Sequence, residues 1–406
     1  MECDRKIMLF DLSVKGHHPN YIQHLIKYWY EQKLSGNLYI VVSPKFLQEH
    51  ADVVETAKSD RQKNIQFIAI TPEEEANLNS RKSRLKRAFR NFQEWQIFCK
   101  YAKKLNATHG LLMYFDTCEL PLALGGKPPC PFSGIYFRPT FHYNELTNYF
   151  PSQKERLQQW REKIALSRIL QNPQLQNLFC LDFLAVKHFD KFNTHVRAVT
   201  LPDPVEIFKT SELDSIGLRA SLGIEQNRKI FLLFGALTTR KGIYQLLDAV
   251  SALSDEICQK MCLLLVGESN IEAQLKSRIA EICQSKPIQI INRYEFIPEE
   301  DVQGYFQLTD VVLAPYQRHV GMSGILLLAA AAEKPVLSSD YGLMGEIVRS
   351  YELGITVDST VPQEIGQALV RFLSGDSEKL CDRSKMKSFA EQNSAEEFSR
   401  IIFNYL

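Results

Sequence analysis

Residues 230–250 read IFLLFGALTTRKGIYQLLDAV and combine the parts of an α/β unit in one stretch. The apolar run 230–234 predicts a buried strand that ends at Gly235. Two adjacent cations, Arg240 and Lys241, then stand just before a helix that begins after Gly242. The apolar residues of that helix recur on one side, at Ile243, Leu246, Leu247 and Val250.

The same alternation of strand and helix extends along the whole chain and predicts two doubly wound α/β domains. The Pro-rich stretch Leu201-Pro202-Asp203-Pro204 interrupts it. We therefore expect a first domain over residues 1–205 and a second over 206–389, with a C-terminal helix, 390–406, packing on the first. Further strands are expected at 7–10, 38–42, 65–70, 111–115, 135–137, 262–266, 288–291, 311–314 and 336–337.

The composition excludes several broad classes of protein. Of the 406 residues, 45% are hydrophobic and 23% are charged, which is typical of a globular chain and not of a disordered or coiled-coil one. The net charge of +1 and the lack of a recognition motif argue against nucleic-acid binding. The nine cysteines lack metal-ligand spacing, and no secretory signal is present, so we expect no metal and a cytoplasmic location.

Two loops at strand ends are candidates for binding an anion. Cations beside a helix start favour phosphate, which fits Arg240 and Lys241, although two solvated surface charges are the alternative. In the loop 316–324, Ser323 is a fair N-cap and the amides near Gly324 are available to an anion, although an ordinary capped helix is the alternative. Both loops follow strands of one predicted sheet, as two walls of one pocket would.

Several segments of the second half also occur together in a known family. They are 234–242, 266–268, 296–298, 309–315, Ser323-Gly324, 334–336 and 342–348. In this order, between Lys229 and Val357, they resemble the donor-binding domain of the retaining GT-B glycosyltransferases of group 1 (family-4-like).

The resemblance implies a GT-B architecture, with two Rossmann-like domains facing a central cleft, and transfer of a sugar from a nucleotide-sugar to a glycan, lipid or small molecule. It implies no cofactor besides the nucleotide-sugar and no metal, because Lys241 and Arg240 would neutralise the leaving diphosphate. The donor-binding residues that it implies are Gly16, His18, Gly235, Gly267, Glu268, Arg293, Phe296, Tyr316, Gly321, Met322, Ser323, Gly324 and Glu346.

The chain departs from the family pattern at three positions. Val320 and Leu328 stand where many relatives have paired glutamates, and Ala236 stands where many have arginine. A nucleotide-sugar-binding protein without turnover, or a nucleotide-sugar epimerase on the same fold, therefore remains an alternative.

The first half offers three candidates for catalysis in the acceptor domain. By the strand assignment, Asp116 and Arg138 follow strands, and His142 lies four residues after Arg138. For each of them, a structural ion pair or a helix cap is the alternative. Gly16 to His18 follow the first strand and either contact the donor or cap the next helix.

A basic stretch, Arg81 to Leu105, carries aromatic residues at helical spacing. Such a helix can lie on an anionic membrane, and a second, weaker basic surface is formed by Arg156, Trp160, Arg161 and Lys163. The alternative is that the aromatic residues pack into the first domain and the cations face solvent.

Overall fold

The structure is a computed structural model that describes residues 5–58, 64–78, 83–204, 212–374 and 377–406. It divides into two compact units. Unit 1 comprises Met1–His142, Pro151–Pro204 and Ala395–Leu406, and unit 2 comprises Tyr143–Phe150 and Val205–Ser394. The predicted domain boundary at residues 205 and 206 lies outside the described residues.

Unit 1 contains a parallel sheet of seven strands. They are β1 (Lys6–Phe10), β2 (Asn37–Val42), β3 (Ile65–Ala69), β4 (His109–Leu112), β5 (Phe132–Tyr136), β6 (Leu175–Cys180) and β7 (Arg197–Thr200). Their order is β3-β2-β1-β4-β5-β6-β7, so the direction of winding reverses between β1 and β4.

The helices of unit 1 cover both faces of this sheet. They are α1 (His18–Glu31), α2 (Pro44–Glu49), α3 (Ala51–Lys58), α4 (Pro72–Asn77), α5 (Arg84–Lys104), α6 (Glu119–Ala123), α7 (Gln153–Ile169) and α8 (Phe183–Val186). Alternate residues of β1 face opposite sides, as the pleat requires. Ile7 and Leu9 join one buried cluster, whereas Met8 and Phe10 join the other.

Unit 2 contains a parallel sheet of six strands. They are β8 (Lys229–Phe234), β9 (Met261–Val266), β10 (Gln289–Arg293), β11 (Val311–Ala314), β12 (Val336–Ser339) and β13 (Gly354–Val357). Their order is β10-β9-β8-β11-β12-β13, so the winding reverses between β8 and β11. The helices are α9 (Glu212–Ser221), α10 (Ile243–Ser251), α11 (Asp255–Cys258), α12 (Glu272–Ser285), α13 (Glu299–Leu308), α14 (Gly324–Ala331), α15 (Gly342–Ser350), α16 (Pro362–Leu373) and α17 (Arg383–Gln392).

The last helix, α18 (Ala395–Tyr405), packs in unit 1, where Phe398 contacts Tyr21. It begins later than expected, because residues 390–392 still belong to α17. Residues 143–150 belong to unit 2, because the Thr147 amide donates to Glu346 and the Asn148 side chain donates to Asp340.

The strands differ from the expected ones mainly where they are short or irregular. β4 ends at Leu112, and the expected strand residue Phe115 begins a 3-10 turn, Phe115–Thr117, that stays buried. The apolar run 111–115 therefore extends beyond the end of the strand, which made the predicted strand too long. The strands β6, β7 and β13 were not expected, and two of them, β7 and β13, lie at sheet edges.

The basic stretch 81–105 has two distinct parts. Arg81 and Lys82 lie outside the described residues, and α5 begins at Arg84. Trp95 and Phe98 are buried in the core of unit 1, as the alternative of core packing expects. Leu85 and Phe89, in the first turns, are instead exposed.

Candidate functional site

The strand order of unit 2 places two loops at the point where its winding reverses. The chain leaves β8 toward β9 on one side, and it leaves β11 toward β12 on the other. In open parallel sheets, the crevice between two such diverging loops is where ligands bind. Here the two loops are 235–242, after β8, and 315–323, after β11.

Lys241 lies buried between these loops. It ends the 3-10 turn Thr239–Lys241, and Gly242 follows in the left-handed region, with φ of 73°. The Lys241 Nζ donates to the carbonyl of Phe234, at 2.9 Å, and to the hydroxyl of Tyr316. A Cβ on Gly235 would lie 3.2 Å from this Nζ, so the glycine leaves room for the amine.

Burial, together with the smaller effect of the neighbouring Arg240, lowers the pKa of Lys241 to about 7. A buried ammonium is stabilised by an anion beside it. The site is therefore built so that a bound anion would favour the charged form of Lys241.

Tyr316 connects Lys241 to the start of α14. Its backbone carbonyl accepts a hydrogen bond from the Ser359 hydroxyl, at 2.9 Å, and its own hydroxyl accepts one from Ser323, at 3.4 Å. Burial raises the pKa of Tyr316 to about 12, so the phenol stays neutral. Ser323 occupies the N-cap position of α14, but its hydroxyl bonds to Tyr316 and makes no capping bond to the helix.

A second bridge between the loops runs through His319. The Arg240 guanidinium lies 3.1 Å from His319 Nδ1, and His319 Nε2 lies 3.2 Å from the carbonyl of Met322. The neutral tautomer with its proton on Nε2 satisfies both contacts. The backbone N–H of Gln317 also donates to the carbonyl of Arg240, at 2.8 Å. These contacts join the turn at Arg240 and Lys241 to the loop that ends at Ser323.

The other predicted donor residues of unit 2 lie around this centre. Gly267 packs against Gly235, where a Cβ would lie 2.4 Å from the Gly235 carbonyl oxygen. Glu268 and Phe296 are exposed on the neighbouring loops, and Arg293 is exposed at the end of β10. Gly321 precedes the Met322 carbonyl that receives His319.

Glu346 is occupied by contacts within unit 2. It accepts the Thr147 amide at 3.0 Å and pairs with Arg349 at 3.2 Å. Burial alone would raise the pKa of Glu346, but the bonds from Thr147 and Arg349 outweigh it and lower the pKa. These contacts favour a role in holding the segment 143–150.

The reversal point of unit 1 carries the predicted residues Gly16 and His18. Gly16 has a φ of 79°, and a Cβ there would have open space around it. His18 is buried, and its Nδ1 lies 2.6 Å from Asp11 Oδ2. Asp11 also accepts the backbone N–H of Ser13, at 2.8 Å. Asp11 therefore fixes both the loop and the orientation of the His18 ring.

The three predicted catalytic residues of unit 1 make different contacts. The Asp116 carboxylate accepts the backbone N–H groups of Phe137 and Arg138, both at 3.0 Å, and burial raises its pKa to about 6. The Arg138 side chain is exposed. His142 is buried with its Nε2 2.8 Å from Asp182, which also caps α8. These contacts favour the structural alternative for Asp116 and His142.

Four residues that make side-chain or backbone contacts at these sites were given no role by the sequence. They are Asp11, Gln317, His319 and Ser359. Asp11 is a polar residue directly after an apolar strand, and that signal could have found it. His319 and Gln317 lie in a quoted loop, but their contacts to the Arg240 turn depend on the fold. Ser359 comes from the loop after β13, a strand that the sequence analysis missed.

Comparison with known proteins finds one family model and two curated relatives among glycosyltransferases. Residues 215–392 match the family model of glycosyl transferases group 1. Two uncharacterized glycosyltransferases of Methanocaldococcus jannaschii, MJ1069 and MJ1607, are 23% and 26% identical to the chain over 224 and 161 residues. These alignments cover 54% and 40% of this chain, and 56% and 40% of the relatives' own lengths.

Solved structures match nearly the whole chain. Anabaena HepE in complex with UDP has a TM-score of 0.66 and 15% identity, and the match covers 98% of each chain. Sucrose-phosphate synthase of Thermosynechococcus elongatus has a TM-score of 0.69 and 15% identity, again over 98% of each chain. The fold is therefore that of the GT-B glycosyltransferases, with two parallel sheets each covered by helices.

Proposed function

We propose that this chain, whose residues 215–392 match the family model of glycosyl transferases group 1, transfers a sugar from a nucleotide-sugar to an acceptor. The observation that carries the proposal is the convergence of Arg240, Lys241 and the start of α14 through Tyr316 and His319. Two cations beside the start of a helix form the kind of site that binds a diphosphate.

The diphosphate is also the leaving group, so the same contacts would act in the reaction. Negative charge grows on the leaving oxygen as the bond to the sugar breaks. The Lys241 ammonium and the Arg240 guanidinium are held at fixed positions, and cations at fixed positions stabilise that charge without reorganising. We propose that they make the reaction independent of a metal and that transfer occurs with retention at the anomeric carbon.

UDP and the donor UDP-glucose are the first ligands to test, because HepE structures hold these molecules. A thermal-shift screen of nucleoside diphosphates and their sugars measures binding. A ligand at about 100 times its dissociation constant should raise the free energy of unfolding by ~2.7 kcal/mol. A panel without any stabilising nucleotide would contradict the proposal.

Turnover is measured separately from binding. Release of the nucleoside diphosphate from a stabilising donor, unchanged by a chelator, would support metal-independent transfer, and NMR of the anomeric proton would establish retention. Val320 and Leu328, which stand where many relatives have glutamates, favour one rival: binding without turnover. A product formed without any acceptor would instead point to epimerisation.

The acceptor and the cellular location extend the proposal. We propose a glycan, lipid or small-molecule acceptor bound by unit 1, where Gly16 and His18 follow β1 and Asp116 follows β4. We also propose a cytoplasmic location. Within the described residues, no helix is long and apolar enough to span a bilayer.

A further inference from the structure

Most of the large apolar side chains that unit 1 leaves exposed lie on three neighbouring helices, α5, α6 and α7. The helix α6 contacts both α5 and α7, and all three bury residues in the same core cluster. The exposed residues on their outer sides are Leu85 and Phe89 on α5, Leu120 on α6, Leu124 just after it, and Leu157, Trp160 and Ile164 on α7. We call this set the outer apolar surface.

The helix α7 is apolar on two opposite sides. Leu166 and Ile169 belong to the core of unit 1. Leu157, Trp160 and Ile164, at the spacing of a helix face, point the other way, and Trp160 is 60% exposed. A helix with a second apolar face has more apolar surface than the fold of unit 1 uses.

Among the described residues, the exposed charges on α7 and on the first turns of α5 have one sign. The exposed charged side chains of α7 are the cations Lys154, Arg156, Arg161, Lys163 and Arg168. The two glutamates of α7 point elsewhere: Glu155 completes the cap at Ser152, and Glu162 accepts hydrogen bonds from the Tyr136 and Thr140 hydroxyls. On α5, Lys86 and Arg87 are exposed beside Leu85 and Phe89.

We propose that the outer apolar surface is where the protein docks on an anionic lipid bilayer. Leu, Ile and Trp side chains would enter the interface between headgroups and acyl chains, and the flanking Lys and Arg would meet lipid phosphates. An acidic protein would match the cations but would not need a row of Leu, Trp and Ile. The surface shares no residue with the donor site around Lys241, so the two proposals fail independently.

The sequence predicts membrane binding mainly by the stretch 81–105, which contains α5, whereas the exposed apolar row of the structure lies mainly on α7. The aromatic residues Trp95 and Phe98 of α5 are in the core and cannot insert. Only the first turns of α5 contribute exposed apolar side chains, whereas α7 contributes its whole outer row.

Trp160 provides a direct readout of docking. The chain has three tryptophans, and the other two, Trp29 and Trp95, are buried. With vesicles of phosphatidylcholine containing phosphatidylglycerol, we expect the full chain to co-sediment and its tryptophan emission to shift to the blue. Trp160→Phe should keep the binding and lose the shift. Vesicles of phosphatidylcholine alone should bind much less.

Two variants test the apolar and the charged parts. Leu157→Ser with Trp160→Ser and Ile164→Ser should lower vesicle binding more than about tenfold, because the inserted area is lost. Arg156→Gln with Arg161→Gln should lower it by about fivefold per cation. Tyr30→Ser, an exposed aromatic on α1, is the matched control and should bind like the parent chain.

Three results would overturn the proposal. One is vesicle binding that the triple variant retains in full, and another is the absence of binding at any content of anionic lipid. The third is a concentration-dependent dimer that the triple variant abolishes while vesicles leave the emission unchanged, since the surface would then join two copies of the chain. A thermal melt of each variant establishes that it is folded.

Discussion

The side-chain nitrogen of Lys241 lies 4.3 Å from the centroid of the Tyr316 ring and donates a hydrogen bond to the Tyr316 hydroxyl. An ammonium has three N–H donors, and in the described part of the chain Phe234 and Tyr316 receive two of them. The third donor is the one that a bound diphosphate would use. This contact joins the loops after β8 and β11 and orients Lys241 before any ligand arrives.

Replacement of Lys241 by methionine should remove catalysis without unfolding the protein. Methionine fills a similar volume and needs no buried charge, so we expect the free energy of unfolding to be kept or raised. We expect kcat/KM on an identified donor to fall by about 100-fold to 1000-fold, as for the loss of one fixed donor to a developing oxyanion. Lys260→Met, at an exposed position paired with Glu256, is the control. Equal turnover in both variants would rule out the assigned role.

Donor affinity should depend on pH through Lys241. The pKa of Lys241 in the empty site is about 7, so the ammonium is mostly lost at pH 8.5. The phosphates of a nucleotide-sugar are both diesters and do not titrate here. We therefore expect its affinity, measured by calorimetry, to fall by about 30-fold between pH 6 and pH 8.5. Lys241→Met should give a flat profile, and a parent profile that is equally flat would contradict the account.

The lowered pKa of Lys241 weakens donor binding as the pH rises, but it makes the stability of the ligand-free protein rise over the same range. An unfolded chain holds the Lys241 proton up to its ordinary pKa of 10.5, whereas the folded chain loses it near 7. Between these values the unfolded state binds more protons, so the contribution of Lys241 to the stability of the fold rises with pH. The difference between parent and Lys241→Met in denaturant unfolding should change in that direction between pH 6.5 and pH 9.

Gly242 should tolerate no side chain. Its φ is 73°, and a Cβ would lie 2.0 Å from the carbonyl oxygen of Pro315, in the loop after β11. Gly242→Ala must push the two loops apart, and we expect a loss of about 3 kcal/mol in the free energy of unfolding, together with weaker donor binding. The matched control is Gly217→Ala in α9, where a Cβ meets nothing within 4 Å. It should be neutral or up to ~1 kcal/mol more stable.

His142 should matter for stability more than for turnover. It is buried against Asp182, whose other oxygen accepts the N–H groups of Leu184 and Ala185. His142→Ala leaves a cavity and a buried carboxylate without its partner, so we expect a loss of about 2–4 kcal/mol with kcat per folded molecule kept within about threefold. A kcat about 100-fold lower at unchanged stability would instead support the catalytic role predicted from sequence.

The sequence could predict that the loops after β8 and β11 lie at one edge of the sheet, because the parts of each loop are local in the chain. The apolar runs of β8 and β11 and the polar loops after them are continuous in the chain, and parallel strands bring their carboxyl ends to one edge. The bridges of Tyr316 and His319 could not be predicted. They depend on how closely two loops, separated by three strands and several helices, approach one another.

The errors in unit 1 have a related physical cause. Met113 and Phe115 are as apolar as a strand because the turn after β4 is itself buried in the core. Which sides of α5, α6 and α7 are buried depends on the sheet on which these helices pack, so the sequence alone does not predict it. Periodicity gave α5 an aromatic side, but only the fold separates the buried Trp95 from the exposed Phe89.

In a crystal structure of the chain with UDP, we expect a phosphate oxygen within about 3 Å of Lys241 Nζ and another near the amides at the start of α14. A well-ordered UDP whose phosphates lie away from both Lys241 and Ser323 would contradict it.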